Sequence, residues 1–274
     1  MKKKRLIPIL LLKNGWLVQS KLLREFKNLG NPITAVKRLS EWGCDELIYL
    51  DISRDDQYDL RRDDLNDANR HHIYEILDDV SKTVFMPITV GGKIRSISDI
   101  QERLKRGADK VAINTQALLK PEFITQAAKE FGSQCVVVSI DVKLVDGCYM
   151  VMLNWGQRPT GYNPVEWAVR CAKLGAGEIL LNSIDRDGTK TGFDLELIRQ
   201  VSEAVSIPVI AAGGAGDWPD FGQVLGQTQA DGVAAANIFQ HLDQSVYLAK
   251  KYLFDHNFNV RPPMLMKLQQ KGGV

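Results

Sequence analysis

The strongest constraint on the fold is a unit of strand, Gly-Gly turn, helix and strand that occurs twice. In residues 86–115, two apolar runs enclose Gly91-Gly92 and a segment whose apolar residues recur at helical spacing. Residues 207–237 repeat this order, with Gly213-Gly214 lying 122 positions after Gly91-Gly92. The same 122 positions separate Asp109 from Asp231. The chain is therefore predicted to consist of two similar halves, each built from strand–helix units.

The same pattern extends over residues 1–256, where eight apolar strands alternate with helices. We predict an α/β fold, a (β/α)8 TIM barrel built from two similar half-barrels, followed by a C-terminal tail at residues 257–274. A doubly wound sheet would also hold eight strands but would not explain the matched halves. Residues 13–30 are predicted to form a polar loop, and Asp146-Gly147 between two alternating runs predicts a β-hairpin.

Composition restricts the expected partners. Of the 274 residues, 45% are hydrophobic and 25% are charged, with a formal net charge of +2. This balance gives no reason to expect nucleic acid or a membrane as a partner, and no apolar run reaches the roughly 18 residues of a membrane-spanning helix. The N-terminus lacks a signal-peptide cleavage pattern. We therefore expect a cytoplasmic protein, and since the four cysteines lack metal-site spacing, no metal or cofactor.

Each Gly-Gly turn follows a predicted strand, and ligands bind at strand ends in parallel α/β folds. Backbone N–H groups can approach an anion there because glycine has no Cβ. Two matched turns favour a ligand with a phosphate at each end, while tight turns without a ligand are the alternative. The first candidate cradle consists of Gly91, Gly92, Lys93, Asn114 and Thr115, with Lys93 as a cation, and the second of Gly213, Gly214 and Asn237.

Polar residues also follow the sixth predicted strand. Carboxylates, hydroxyls and a glycine at a strand end are suited to binding the hydroxyl groups of a polyol. A capped loop closed by ion pairs is the alternative. The candidate binding residues in this segment are Ser183, Asp185, Asp187, Gly188 and Thr189.

Asp141 ends the apolar fifth strand. A carboxylate in that position is partly removed from water, which raises its pKa and suits general acid–base catalysis. An ion pair with Lys143 is the alternative. Asp141 is therefore the candidate catalytic residue.

Charged residues open four of the predicted strands, at the end of the barrel opposite to the candidate site. Charges of both signs at these positions could ring the bottom mouth of the barrel. Ordinary solvated strand starts are the alternative. The four residues are Arg5, Glu46, Lys110 and Glu178.

Taken together, these clusters resemble the HisF family, the cyclase subunit of imidazole glycerol phosphate synthase. The resemblance covers roughly residues 5–261. It implies a TIM barrel that binds a bis-phosphorylated substrate and receives ammonia through the barrel from a glutaminase docked at the bottom. It also implies that the four strand-opening charges form the ammonia gate and that Asp109 lies at the partner interface. The main motifs are Pro87-Ile88-Thr89-Val90-Gly91-Gly92, Gly107-Ala108-Asp109-Lys110, Asp185-Arg186-Asp187-Gly188-Thr189 and Ala212-Gly213-Gly214-Ala215-Gly216.

One departure from the family changes the functional prediction. The family has two catalytic aspartates, and Asp141 matches the one that ends strand five. Leu11 stands at the position of the other, and the internal repeat pairs Leu11 with Asp141 independently. Leucine cannot donate or accept a proton. Gln19 stands where the family has a loop lysine.

This combination resembles the second-copy HisF-like proteins of the glycosyl amidation-associated type. By that resemblance, the chain would channel ammonia from a HisH-like glutaminase for amidation of a nucleotide-linked N-acetyl sugar in surface polysaccharide synthesis, with a sugar amidotransferase as a further partner. The alternatives are the cyclase of histidine biosynthesis and a non-catalytic scaffold that activates the glutaminase. Leu11 and Gln19 favour the sugar-amidation role over the histidine cyclase. The four retained gate residues favour the sugar-amidation role over a non-catalytic scaffold.

Overall fold

The computed structural model describes residues 2–59, 70–82, 86–241 and 243–266. The described strands are β1 (Arg5–Lys13), β2 (Trp16–Lys21), β3 (Glu25–Gly30), β4 (Leu47–Asp51), β5 (Ile88–Gly91), β6 (Lys110–Ile113), β7 (Val136–Val145), β8 (Cys148–Leu153), β9 (Arg158–Pro159), β10 (Glu178–Ser183), β11 (Val209–Ala212) and β12 (Gly232–Ala235). Eight parallel strands form a closed barrel in the order β1, β4, β5, β6, β7, β10, β11, β12, and β12 pairs with β1. The predicted (β/α)8 barrel is therefore confirmed.

Helices cover the outside of the barrel because each has one apolar face that packs against the strands. Several begin at side-chain caps: Asn31 caps the first, and Ser96 and Asp217 form capping boxes with Asp99 and Asp220. In the described part of the chain the helices are α1 (Pro32–Glu41), α2 (Ile73–Val80), α3 (Ile97–Lys105), α4 (Thr115–Leu119), α5 (Glu122–Phe131), α6 (Pro164–Lys173), α7 (Leu195–Ala204), α8 (Trp218–Gln227), α9 (Ile238–His241) and α10 (Ser245–Asp255). None of these helices has the length and apolar character needed to cross a bilayer.

Two hairpins rise from the barrel, one from each half. The predicted hairpin at Asp146-Gly147 is confirmed, since β7 continues into antiparallel β8. The prediction of a polar loop at residues 13–30 is wrong, because β1 continues into β2 and then β3. Asn14-Gly15 makes the first turn with both φ values positive (51° and 78°), which is the backbone of a two-residue hairpin loop. This Asn-Gly pair is the signal that the sequence prediction overlooked.

Side chains of β1 alternate between two apolar layers, as the two-residue period of a strand requires. Leu6, Leu10 and Leu12 pack toward the helices. Ile7, Ile9 and Leu11 belong to a separate cluster inside the barrel, together with Ile48, Val137, Leu180 and Ile210. The alternation therefore points Leu11 into the barrel.

The bottom of the barrel repeats one local contact in both halves. The Asp109 N–H donates to Ile88 O, and its carboxylate accepts from Ile88 N at 2.8 Å. Asp231 makes the same two contacts with Val209. The described tail residues run along this end: Lys4 N donates to Asn259 O, and Val260 is buried.

Candidate active site at the carboxyl ends of the strands

A cavity of about 460 Å³ opens at the carboxyl ends of the barrel strands. Its base is apolar and includes Ile9, Leu11 and Leu180, whereas its walls carry polar groups from the loops after the strands. A few polar groups converging on a mostly apolar cavity of this size are typical of a small-molecule site. Its position is the one expected for the active site of a (β/α)8 barrel.

Asp141 lies in this cavity and is held by two amides. Asn114 Nδ2 donates to Asp141 Oδ2 and Asn182 Nδ2 donates to Asp141 Oδ1, each at 2.9 Å. The predicted alternative, an ion pair with Lys143, is not among the described ion pairs. Burial raises the pKa of the Asp141 carboxyl above its ordinary value, and the Asp187 carboxylate adds a smaller upward effect. The two amides act in the opposite direction. A fixed carboxyl with a raised pKa is suited to general acid–base catalysis.

Leu11 occupies the corresponding place on β1. It lines the same cavity as Asp141 and is 6% exposed. Its neighbour across the β1–β4 pair is Leu50, which also lines the cavity. The side of the cavity opposite the hairpin of β7 therefore presents hydrocarbon where the other half presents a carboxylate.

The Gly91-Gly92 end of the cavity holds a buried carboxylate that the sequence prediction missed. Asp51 ends β4 and accepts hydrogen bonds from the Ser53 hydroxyl at 2.6 Å and the Tyr58 hydroxyl at 3.0 Å. Lys93 Nζ lies 3.3 Å from Asp51 Oδ2. Gly92 has φ +98°, and a Cβ there would lie 2.1 Å from Asp51 O, so only glycine fits. The rule that identified Asp141, a carboxylate finishing an apolar strand, would also have identified Asp51.

The hairpin of β2 and β3 closes the other side of the cavity. Ser20 Oγ donates to Asp187 Oδ2 at 2.7 Å, and Leu23 N donates to the same oxygen at 3.1 Å. Asn237 Nδ2 donates to Ser20 O, while its buried Oδ1 has no hydrogen-bond partner among the described residues. Burial raises the pKa of the Asp187 carboxyl, against the effect of its Ser20 and Leu23 donors. Asp187 thus joins the hairpin to the loop after β10.

The structure brings most of the predicted site residues together, but not all. Asp185 turns away and accepts from Leu144 N at 2.7 Å, and Thr189 Oγ1 donates to Arg186 O. Gly91 and Ser183 are buried and do not line the cavity. Trp155, Arg54 and Lys190 also line the cavity, although no sequence motif singled them out. Predicted residues that line the cavity are Gly92, Lys93, Asn114, Thr115, Asp141, Asp187, Gly188, Gly213, Gly214 and Asn237.

At the opposite end of the barrel, the four predicted gate residues contact one another. Arg5 Nη1 lies 2.9 Å from Glu46 Oε2, and its Nη2 pairs with Glu178. Lys110 Nζ lies 2.9 Å from Glu46 Oε1 and 3.0 Å from Glu178 Oε2. Thr89 Oγ1 also donates to Glu46. The alternative of separately solvated strand starts does not describe this closed ring.

The ring, the lumen and the cavity lie in register along the strands. On β1 the inward positions read Arg5, Ile7, Ile9 and Leu11. On β10 they read Glu178, Leu180 and Asn182, so that a ring charge is followed by an apolar residue and then by an Asp141 donor. Charged, apolar and polar layers therefore follow one another from the bottom of the barrel to its top. Among the described residues, no group of three or more His, Cys, Asp or Glu side chains is placed to hold a metal ion.

The fold and site define the class of protein: a (β/α)8 barrel of two similar halves with a polar cavity above an apolar lumen and a charged ring. A family model described as histidine biosynthesis protein matches residues 5–245. The imidazole glycerol phosphate synthase subunit HisF of Alkaliphilus metalliredigens (strain QYMF) is 42% identical over 262 residues, covering 94% of this chain and 98% of the relative.

Subunits of the same name from two strains of Dehalococcoides mccartyi, BAV1 and CBDB1, are 43% and 42% identical over 258 residues, with the same shares of each chain covered. The chain belongs to the HisF family of histidine biosynthesis proteins.

Proposed function

We propose that this chain is a HisF-type barrel that receives ammonia at its charged ring from a HisH-like glutaminase and delivers it to a phosphorylated acceptor in the cavity. The succession of charged, apolar and polar layers carries this proposal. An apolar lumen admits neutral ammonia much more readily than an ion, because an ion would lose its hydration there. The ring of Arg5, Glu46, Lys110 and Glu178 lies where ammonia would enter.

Asp141 is the proposed acid–base group at the delivery end. Its carboxyl is fixed by Asn114 and Asn182 and has a raised pKa. The turns after β5 and β11 are the proposed phosphate cradles. Asn237 Oδ1, which has no hydrogen-bond partner among the described residues, would accept a hydrogen bond from a hydroxyl group of the bound substrate. Asp109, whose carboxylate caps Ile88 N at the bottom face, is proposed to lie at the glutaminase interface.

The relatives favour one acceptor. All three bear the name of the imidazole glycerol phosphate synthase subunit and align over 94% of this chain. The corresponding reaction would join ammonia to a bis-phosphorylated ribulosyl substrate. The two glycine turns suit the two phosphates of that substrate. This histidine-biosynthesis role is supported better by the comparisons than the sugar-amidation role.

Leu11 is the specific observation that favours a second acceptor. Without a carboxylate on the β1 side, one proton-transfer group of the cyclase is missing, and such a group is typically worth about 10²–10⁴ in rate. A barrel of this kind could still deliver ammonia to another acceptor. The second candidate is amidation of a nucleotide-linked N-acetyl sugar, with a sugar amidotransferase as an additional partner. A scaffold that only activates a glutaminase would need neither the ring nor the cavity.

A cyclase assay separates the two acceptors. The bis-phosphorylated ribulosyl substrate is supplied with saturating ammonium to the native protein and to Leu11→Asp. Robust turnover by the native protein would establish the histidine role and exclude the redirected one. Turnover only in Leu11→Asp would identify this position as the cause of the change. No turnover in either, with phosphate-ligand binding retained, supports a different acceptor.

The ammonia route is tested separately with Arg5→Ala in complex with a HisH-type glutaminase. If ammonia passes through the ring, glutamine-dependent transfer should change while transfer from added ammonium stays the same. Unchanged glutamine-dependent transfer would argue against the ring as an entrance.

A further inference from the structure

The cation that the Gly91-Gly92 cradle would use is not the one adjacent in sequence. Lys93 Nζ is 3.3 Å from Asp51 Oδ2, donates to Asp55 O, and lies 5.2 Å from the centre of the Tyr58 ring. Its side chain is only 10% exposed. Because its charge is already matched by a buried carboxylate, Lys93 is poorly placed to neutralise a ligand phosphate as well.

Arg54 is the neighbouring cation that forms no ion pair with a carboxylate in the described part of the chain. It follows β4 by three residues and therefore lies beside the turn after β5, since β4 and β5 pair in the barrel. Its side chain lines the cavity and is exposed. Among the described residues, no carboxylate forms an ion pair with it. Arg95, another arginine that lines the cavity, lies 3.3 Å from an Asp56 oxygen.

Trp155 holds the Arg54 guanidinium over the cavity mouth. The Arg54 Cζ atom lies 5.5 Å from the centre of the Trp155 ring, within the range of a cation–π contact. A guanidinium that stacks on an aromatic ring keeps its N–H donors, which point outward in the guanidinium plane, available to a ligand. The two side chains come from loops of opposite halves of the barrel and meet above the site.

The backbone that presents Trp155 is strained, which indicates that its position is enforced. Asn154 and Trp155 have φ values of 52° and 55°, a region that non-glycine residues rarely adopt. Gly156 follows with φ 78°, and a Cβ there would lie 2.8 Å from Ile184 Cδ1. The ring also packs against the apolar cluster of Leu23, Met152 and Ile184. Strain of this kind often accompanies functional positions.

We propose that Arg54, positioned by its cation–π contact with Trp155, binds an anionic group of the acceptor. This group would lie next to the Gly91-Gly92 turn. The ligand class is a phosphoryl group, and a diphosphate would place one phosphoryl on the turn and the next against the Arg54 guanidinium. Planar guanidinium groups bind phosphate oxygens with two parallel hydrogen bonds. This inference rests on the proposed function only in that the acceptor is phosphorylated.

Calorimetric titration with inorganic pyrophosphate and, separately, inorganic phosphate tests the proposal on the whole chain. Arg54→Ala should weaken pyrophosphate binding by about tenfold, the effect of one charge-assisted hydrogen-bonded contact. The loss for phosphate should be smaller, because phosphate can occupy the turn alone. Trp155→Ala should weaken pyrophosphate binding by about threefold, and Trp155→Phe should restore part of it.

Arg158→Ala is the matched control, since Arg158 is an exposed arginine of the same hairpin region that does not line the cavity. It removes the same charge and should leave pyrophosphate affinity unchanged. Equal losses in Arg54→Ala and Arg158→Ala, unchanged affinity in Arg54→Ala, or no pyrophosphate binding by the native protein would each overturn the proposal. The titration involves neither ammonia nor turnover, so its result is independent of the cyclase and ring experiments.

Discussion

The two halves of the barrel share a backbone but differ in chemistry. Gly92 and Gly213 both turn with positive φ after a strand, and Asp109 and Asp231 cap neighbouring strands in the same way. At the top, however, the second half presents Asp141 to the cavity and the first half presents Leu11. The repeated geometry therefore preserves both glycine turns, while the proposed acid–base group, Asp141, belongs to the second half alone.

At the bottom of the barrel, it is the first half that carries a buried carboxylate, at a position where the second half has glycine. In the first half, Asp45 is buried, accepts from Leu6 N and pairs with Lys250 of α10 at 2.8 Å. In the second half, Gly177 occupies the matching position, and a Cβ there would lie 2.0 Å from Ser133 O. The first half thus carries the buried ion pair that ties the last helix to the barrel, and the second half has no room for it.

The largest effect is expected from removing the carboxylate of the second half. Asp141→Asn should lower the rate of ammonia incorporation into the acceptor by about 10²–10⁴, because the fixed acid–base group is lost while its amide contacts can be partly retained. The rate is measured with saturating ammonium, so that transport through the lumen does not limit it.

The matched control for this prediction is Asp146→Asn at the tip of the same hairpin. Asp146 is exposed, outside the cavity, and has φ 48°, which asparagine tolerates. Equal activity in Asp141→Asn and the native protein would show that the difference between the halves is not catalytic.

The next effect concerns the ion pair of the first half. Lys250→Met should destabilise the protein by about 3–5 kcal/mol, because the buried Asp45 carboxylate would keep only the longer ion-pair contact with Arg261, at 3.9 Å. Lys250 and Asp45 side chains are 3% and 2% exposed. Urea unfolding gives the change in free energy.

Lys251→Met provides the comparison on the adjacent residue, whose ion pair with Asp255 is exposed. Its unfolding midpoint should match that of the native protein. The double variant Asp45→Asn with Lys250→Met should recover part of the loss, since no unpaired charge then remains. If Lys250→Met lowered the free energy of unfolding no more than Lys251→Met does, the buried Asp45 carboxylate would not need Lys250 for stability.

The same comparison shows what sequence reasoning can and cannot reach. Strand boundaries identified the ring charges and Asp141, because residues that open or end parallel strands gather at the two ends of a barrel. The sequence could not show that Lys93 is already engaged, since its contacts with Asp55 O and the Tyr58 ring depend on the path of the loop after β4. Asp185 and Asp187 are two residues apart in one loop, yet only Asp187 lines the cavity. Loop direction, set by the contacts of both hairpins, decided between them.

The smallest effect is a pH dependence that should have opposite signs in the two halves. Burial raises the pKa of the Asp141 carboxyl in the folded protein. Ionisation of this carboxyl therefore destabilises the native protein above the raised pKa. Below the ordinary aspartate pKa of about 3.9 the carboxyl is protonated in both the folded and the unfolded state, so it has no such effect. The melting temperature of Asp141→Asn minus that of the native protein should therefore be higher at pH 8 than at pH 4.

Leu11→Asp places a carboxyl at a position of the first half where the native side chain is 6% exposed. The melting temperature of this variant minus that of the native protein should become more negative as the pH rises, because an ionised carboxylate is destabilised by burial. Calorimetric scans of both variants, with Asp146→Asn as the exposed reference, measure the two slopes. Parallel slopes for Asp141→Asn and Asp146→Asn would show that burial does not perturb Asp141. A flat melting-temperature difference for Leu11→Asp would show that water reaches this position, and the contrast between an apolar Leu11 site and a buried Asp141 carboxyl would then have to be abandoned.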